Sequence, residues 1–313
     1  MLRILTVFLF SCWLFSGCQR ADNSAKPLVL STIKPVHALV YAIAGGEHGP
    51  LQLQQLLPDG ASPHHYALKP SDMQALTQAR VVVRIGSSLE TFLDKPLASL
   101  PAHTLVLNLA SVDGIRQLPN RTPHGGEGHE DEHKHETLLQ AYDPHIWLSP
   151  ANALVMSRQI AQVLGQVDPV NQAWYQRNAE QLIGRIQAAE QRIRTQLAPL
   201  QQRPYVSFHD AWQHFDTYFG LQFAGAVTLD VARPPGARQV QSIRDIVVNK
   251  QAVCLFQEPQ FAPALVKTLV AGTNIRLGEL DPLGMVLPLN ENTYIALLEH
   301  AAQAFTQCLR DSR

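Results

Sequence analysis

The sequence predicts an α/β fold of two lobes, each built on a parallel sheet, joined by one long rigid helix. Two observations carry this. Short apolar runs alternate with helical patterns in the first half of the chain and again in the second, and such alternation with short links is the mark of parallel sheets covered by helices on both faces. Between the halves an amphipathic helical pattern runs from 168 to 200.

In the first half, the strand-like runs are "LVLSTI", "LQLQQLL", "VVVRI" and "TLVLNL", with helical candidates starting from Pro35, Pro70 and Ser88. The connector opens at the start signal Asp168-Pro169 and closes at Pro199. Its apolar residues Leu182, Ile186, Ala189, Ile193, Leu197 and Leu200 recur at spacings of three and four, which marks one face of a helix. At 1.5 Å per residue it would span about 45 Å. A coiled-coil seam is the alternative, but the stripe lasts only a few heptads and its polar face is not patterned for pairing. The second half repeats the alternation with "YVSF", "LQFAGAV", "AVCLF" and "NIRLGEL", and with helices near Asp210, Gly236, Pro263 and Asn290. The expected boundaries are a signal peptide at 1–17, an N-terminal lobe at 27–167, the linking helix at 168–200 and a C-terminal lobe at 201–313.

At 313 residues the chain is long enough for two lobes that each bury a core. Its net charge of -1 and 16% charged residues give no broad attraction to nucleic acid or acidic membranes. The N-terminus reads as an export signal: a basic start at Met1 to Arg3, an apolar run from Ile4 to Phe15, and Ser16-Gly17 before Cys18. "FSGC" also resembles a lipoprotein box, so a lipid anchor at Cys18 and an ordinary cleaved signal are both open, with Phe15 departing from the usual aliphatic residue. Either places the mature chain outside the cytoplasmic membrane. With Cys12 and Cys18 assigned to the signal, Cys254 and Cys308 remain. An even number in an oxidising compartment reads naturally as a disulfide, with two free buried thiols as the alternative.

Several chemistries lack their motifs. No G-x-x-x-x-G-K-[ST] loop or G-x-G-x-x-G turn follows a strand, so any energy coupling belongs to a partner. No G-x-S-x-G elbow or C-x-x-C pair supports covalent catalysis. The stretch "HGGEGHEDEHKHE", within a His- and acid-rich loop at 119–137, formally contains the H-E-x-x-H metalloprotease pattern. That pattern needs a helix, and Gly125, Gly126 and Gly128, the lack of an apolar anchor and five carboxylates against one lysine argue for a solvated loop. His124, His129, His133 and His135 are therefore expected to hold a metal ion only weakly, since each ion must order free chain.

Three other histidines stand where α/β lobes present ligand-binding loops. His64 lies in "LLPDGASPHHYALKPSD" after a strand, His145 in "YDPHIWLSP" before a helix, and His209 in "YVSFHDAW" at a strand's carboxyl end. Three neutral imidazoles suit zinc and leave a fourth position for a carboxylate or water, with Asp281 in "GELDPLGM" the obvious carboxylate. Spacing alone does not bring them together, and each could as well be a hydrogen-bonded structural residue.

"LLPDGASPHHYALKPSD", "HIWLSP", "FHDAW", "PGARQVQSIRDIV", "FQEPQF" and "LDPLG", in order from about Leu30 to Cys308, together resemble the periplasmic solute-binding proteins of bacterial metal ABC importers, specifically their zinc-binding members. The resemblance implies two βα lobes joined by a rigid helix, with a metal cleft between the lobes lined by His64, His145 and His209, and Asp281 at the family's acidic position. It also implies a Cys254–Cys308 disulfide and an acidic histidine-rich loop. The implied function is high-affinity capture of Zn²⁺ and its delivery to an integral-membrane permease whose ATPase is cytoplasmic. Periplasmic zinc chaperones are further expected partners, and the chain is expected to be a monomer without enzymatic activity. Pro63 stands where some zinc members have an acidic residue, which leaves the fourth ligand open between Asp281 and water. His65 is expected to face away from the ion, because neighbours on an extended loop point to opposite sides. His37, His48, His103, His214 and His300 match no ligand position. Manganese members carry a carboxylate where this chain has His209, and nitrogen in place of oxygen favours zinc. The alternatives are an adhesin or zinc buffer of the same family, and a zinc hydrolase using Glu258 or Asp210 as base. Zinc affinity is expected to fall below about pH 6.5, with a limiting slope approaching three protons per ion, because bound histidines must be neutral.

Overall fold

The computed structural model of the chain describes residues 26–121, 142–228, 241, 244–246, 252–259, 266 and 270–310. The expected signal segment with Cys18, the loop histidines His124, His129, His133 and His135, and Gly236 and Pro263, where two helices are expected, lie outside the described residues. Among those described, no helix is long and apolar enough to cross a membrane.

Two four-stranded parallel sheets form the framework. The first contains β1 (Leu28–Ser31), β2 (Gln52–Gln55), β3 (Val81–Arg84) and β4 (Leu105–Asn108), in the order β2-β1-β3-β4. The second contains β5 (Tyr205–His209), β6 (Phe223–Thr228), β7 (Cys254–Gln257) and β8 (Arg276–Glu279), in the order β6-β5-β7-β8. The two orders are the same, so the second half repeats the topology of the first. Inner strands β1, β3 and β5 are buried along their whole length, as strands covered on both faces must be, while edge strands β2 and β8 alternate in exposure. All eight strands coincide with the apolar runs read from the sequence.

The helices of the first lobe are α1 (Lys34–Ile43), α2 (Pro70–Gln78), α3 (Asp94–Ala98) and α4 (Pro150–Val167). Pro35 and Pro70 sit in the first turns of α1 and α2, where a missing N–H costs nothing. The helix expected from Ser88 begins later. Residues 86–90 form a tight turn, in which the amides of Leu89 and Glu90 both donate to the Gly86 carbonyl. The buried Glu90 carboxylate accepts from the Gly86 amide at 2.9 Å and from the Thr32 hydroxyl, and that pull on the turn holds the chain out of helix until Thr91.

The connector is α5 (Gln172–Leu197), flanked by 3-10 turns at Pro169–Asn171 and Ala198–Leu200. Its 26 residues make it about 39 Å long, shorter than the sequence suggests because both ends tighten. All six stripe residues are buried, joined by Tyr175, Ala179 and Ile183. The second lobe adds α6 (Gln213–Phe219) and α7 (Thr293–Leu309). Helix α5 packs against α4 and α1 of the first lobe and α7 of the second, and α7 also touches α1. One hydrophobic core therefore runs from Leu28 through α5 to Leu309. A smaller separate cluster, including Val206, Phe208 and Leu255, lies in the second lobe.

Cys254 at the start of β7 and Cys308 near the end of α7 form a disulfide, with Cα atoms 5.9 Å apart. The bond closes a loop with a sequence separation of 54. Cys254→Ala with Cys308→Ala is expected to lower unfolding stability by about 4 kcal/mol on the chain-entropy model. Denaturant titration of the double variant checks this, and a loss below about 1 kcal/mol would mean that the packing of α7 carries the lobe without the bond.

Candidate metal centre

Three histidines from separate loops meet in one place. Among the described residues, His64, His145 and His209 form the group whose side chains could hold a metal ion, each offering a nitrogen within 4.8 Å of the others. Ring centroids are 5.4 Å apart for His64 and His145, 5.3 Å for His64 and His209, and 4.9 Å for His145 and His209. His145 and His209 are buried, and His64 is partly exposed at the mouth of a cavity of about 450 Å³.

Local chemistry sets each ring. His64 follows Pro63, and its amide donates to Ser62 Oγ at 3.3 Å. The loop is tied down beyond it, because Tyr66 Oη donates to Asp72 Oδ2 at 3.0 Å while the same carboxylate caps α2 by accepting from the Lys69 amide. His145 is held by Asp143, whose Oδ1 accepts from the His145 amide at 3.0 Å and from its Nδ1 at 2.6 Å. A carboxylate on Nδ1 makes that nitrogen the donor and leaves the Nε2 lone pair for an ion. His209 ends β5, and its Nδ1 lies 3.4 Å from Oε1 of the buried Glu258, which selects the same tautomer. Trp147 Nε1 donates to the Pro282 carbonyl at 2.8 Å and Tyr294 Oη to the Trp147 carbonyl at 2.5 Å, so the segment after His145 is stapled to the second lobe.

The charge states follow from these surroundings. Burial pushes His64 and His145 well below the usual histidine range, and the neighbouring imidazoles push them further. Burial acts on His209 in the same sense, but the carboxylates of Glu258, Asp143 and Asp210 outweigh it and raise its pKa. Burial lifts Asp143 to about 6, against the pull of His214 and the His145 amide, which leaves it ionised at neutral pH.

Asp281 is not in the histidine group. Its carboxylate accepts from the Leu283 amide at 3.0 Å and the Met285 amide at 2.5 Å, and so braces the turn that follows β8. Both carboxylates offered by the sequence as hydrolytic bases are engaged: Glu258 lies against His209, and Asp210 pairs with Arg121 at 2.7 Å. His37 and His214 are buried, with His37 Nδ1 2.7 Å from Ser31 Oγ and His214 Nε2 donating to the Asp143 carbonyl at 3.2 Å. His48, His103 and His300 are exposed. Sequence reasoning missed Asp143, His214 and Arg121. Only Asp143 had a local signal, an acid two residues before a candidate ligand.

The family described as "ZnuA: Zinc-uptake complex component A periplasmic" matches residues 29–308. The high-affinity zinc uptake system protein ZnuA of Brucella abortus is 35% identical, over 99% of this chain and 99% of its own. The chain belongs to the ZnuA family. A crystal structure of ZnuA superposes with a TM-score of 0.76 at 24% identity, covering 91% of this chain and all of that one, 100%. The periplasmic zinc-binding protein TroA from Treponema pallidum gives 0.77 at 20% identity, covering 92% and 100%. These structures share the fold of two parallel-sheet lobes about a long helix. As a member of the ZnuA family, the chain is a solute-binding component of a zinc uptake system.

The perturbed histidines change the pH dependence expected from sequence. Ligands must be neutral to bind, and a group with a raised pKa keeps its proton to higher pH, so His209 is the first to compete as pH falls. Zinc affinity should fall about tenfold per pH unit around and above the ordinary histidine value, with about one proton displaced. It should steepen in more acid solution, where Asp143 loses its charge and His64 and His145 begin to protonate. Calorimetry in buffers of different ionisation heat measures the proton count, and three protons released near pH 6.5 would contradict this arrangement. Asp143→Asn, which loses the charge that orients His145, should weaken zinc binding by roughly 10 to 100-fold with the fold retained. Wild-type affinity in that variant would show that His145 is oriented by packing alone.

Proposed function

We propose that the chain captures Zn²⁺ in the cleft between its lobes through His64, His145 and His209, and delivers it in the periplasm to the permease of an ABC importer. The observation that supports this is the convergence of three imidazoles from both lobes into one cluster, two of them buried and His64 at the cavity mouth. Neutral nitrogen ligands, two of them on buried rings set by carboxylates, suit a borderline-soft cation such as zinc better than Mn²⁺. For the fourth position the reading keeps Asp281 and water as the two candidates, since each Asp281 oxygen accepts one backbone N–H and retains a further lone pair. The chain binds and releases without chemistry, energy coming from the ATPase behind the permease. The lobes are the two metal-binding units at 27–167 and 201–313, joined by the helix at 168–200, and the loop at 119–137 adds weak auxiliary sites at His124, His129, His133 and His135.

Calorimetric titration separates these roles. His64→Ala, His145→Ala and His209→Ala should each weaken the tight site by well over tenfold, more than a change outside the ligand set costs, typically roughly 10 to 100-fold. Asp281→Ala should cost less if water can replace the carboxylate, and an equally large loss would make Asp281 the fourth ligand. Deletion of 123–137 should remove only a weak phase. Wild-type affinity in any of the three alanine variants removes that residue from the site, and loss of the tight phase on deletion would move the principal site to the loop. A strain lacking its own zinc-binding component should regain growth under chelation with the wild-type chain and fail to do so with His145→Ala.

A further inference from the structure

At the cavity mouth the side chain of Arg121 ties the two lobes together by three hydrogen bonds. Arg121 belongs to the first lobe, in the stretch between β4 and His145. Its guanidinium reaches across to the second lobe, donating from Nη1 to Asp210 Oδ1 at 2.7 Å and from Nη2 to both oxygens of Asp216, at 2.7 and 2.8 Å. The same group stacks on the Phe223 ring, 3.8 Å from its centroid, so it is held on its face as well as its edges. Tyr205 Oη also donates to Asp216 Oδ2, at 2.7 Å, anchoring the acceptor to β5, and Gln213 Nε2 donates to the Pro119 carbonyl at 3.0 Å beside it.

The position matters because Asp210 is the residue after His209, and Arg121 lines the same cavity as the three histidines. Zinc held by His64 and His145 of one lobe and His209 of the other loses a ligand when His209 moves relative to the other two, and leaves the faster for it. The continuous core through α5 and α7 resists a rigid-body opening. His209 ends β5, whose alternate residues face two clusters: Tyr205 belongs to the continuous core and Val206 and Phe208 to the smaller one, with Ala211 and Trp212 again in the continuous core. A shift of the His209 segment away from the first lobe breaks the Arg121 bonds to Asp210 and Asp216, the strongest of the contacts there, together with those of Gln213 to Pro119 and His214 to Asp143.

Resting on the zinc-capture reading above, we propose that Arg121 is a positioning residue that locks the His209 segment against the first lobe and so sets how long zinc stays bound. Its effect falls on release rather than on encounter, since truncating a buried hydrogen-bonded charge pair mainly alters dissociation.

Stopped-flow zinc release into excess chelator, with association measured separately, tests this. Arg121→Gln and Asp216→Asn should each release zinc at least tenfold faster while association changes less than about threefold, and the double variant should release no faster than Arg121→Gln. Arg121→Lys, which keeps the charge but loses the planar fork, should fall between these and wild type. Asp94→Asn breaks the Arg84–Asp94 pair, 2.7 Å and wholly within the first lobe, and should leave release unchanged. Release within about twofold of wild type in Arg121→Lys and Asp216→Asn overturns the inference, even if Arg121→Gln does not fold. Equal acceleration by Asp94→Asn overturns it too, by showing general loosening. If wild type itself releases zinc as fast as His209→Ala, the zinc-capture reading fails and this inference with it.

Discussion

The continuous core that joins the two lobes is the constraint on which the rest of the molecule depends. Helix α5 offers one apolar face along its full length, and that face is shared by α4 and α1 from one lobe and α7 from the other. A packed interior yields little to small displacements, so sheets of the same strand order are held in one mutual placement. The staple from Trp147 to Pro282 and Tyr294 extends the rigidity to the loop that carries His145. Rings on three loops can then converge before an ion arrives, which removes most of the ordering cost that a flexible chelating loop must meet.

Electrostatics completes what packing begins. In the proposed zinc site the three imidazoles are uncharged ligands, and burying a dication among them requires counter-charge nearby. Asp143 and Glu258 supply it through the ring nitrogens that face away from the ion, and Asp210 and Asp216 stand close by, partly neutralised by Arg121. In the absence of metal, the proton favoured at His209 offsets part of this negative charge. The same carboxylates thus fix tautomers, orient rings and balance the cargo's charge. Arg121 keeps Asp210 and Asp216 committed to the joint between the lobes.

The acid-rich stretch that satisfies a metalloprotease pattern and the histidine cluster illustrate how little spacing alone says about metal sites. His124 to Glu136 has histidines in dense succession and no apolar period that would mark a helix or strand. His64, His145 and His209 are far apart in the chain and are brought together by strand ends and loop anchors. The parallel topology puts the carboxyl ends of β2 and β5, and the loop after β4, at the same side of their sheets.

The sequence by itself determined the elements and their kind. Period-two and continuous apolar runs marked all eight strands, a stripe at spacings of three and four marked the buried face of α5, and proline marked the starts of α1 and α2, because these signals are local and act through backbone geometry. Motif resemblance carried the three histidines and the Cys254–Cys308 pair. Tertiary structure decided what depends on distances between segments remote in the chain. It set Asp281 to bracing its own turn, placed Asp143 and Glu258 behind the ligand rings, raised the proton affinity of His209 while lowering that of His64 and His145, and brought Arg121 onto two aspartates some ninety residues away, at separations of 89 and 95. Hydrogen bonds and charge interactions act over a few ångströms of space, and nothing in a linear spacing encodes which distant side chains will occupy that space once the core has set the lobes in place.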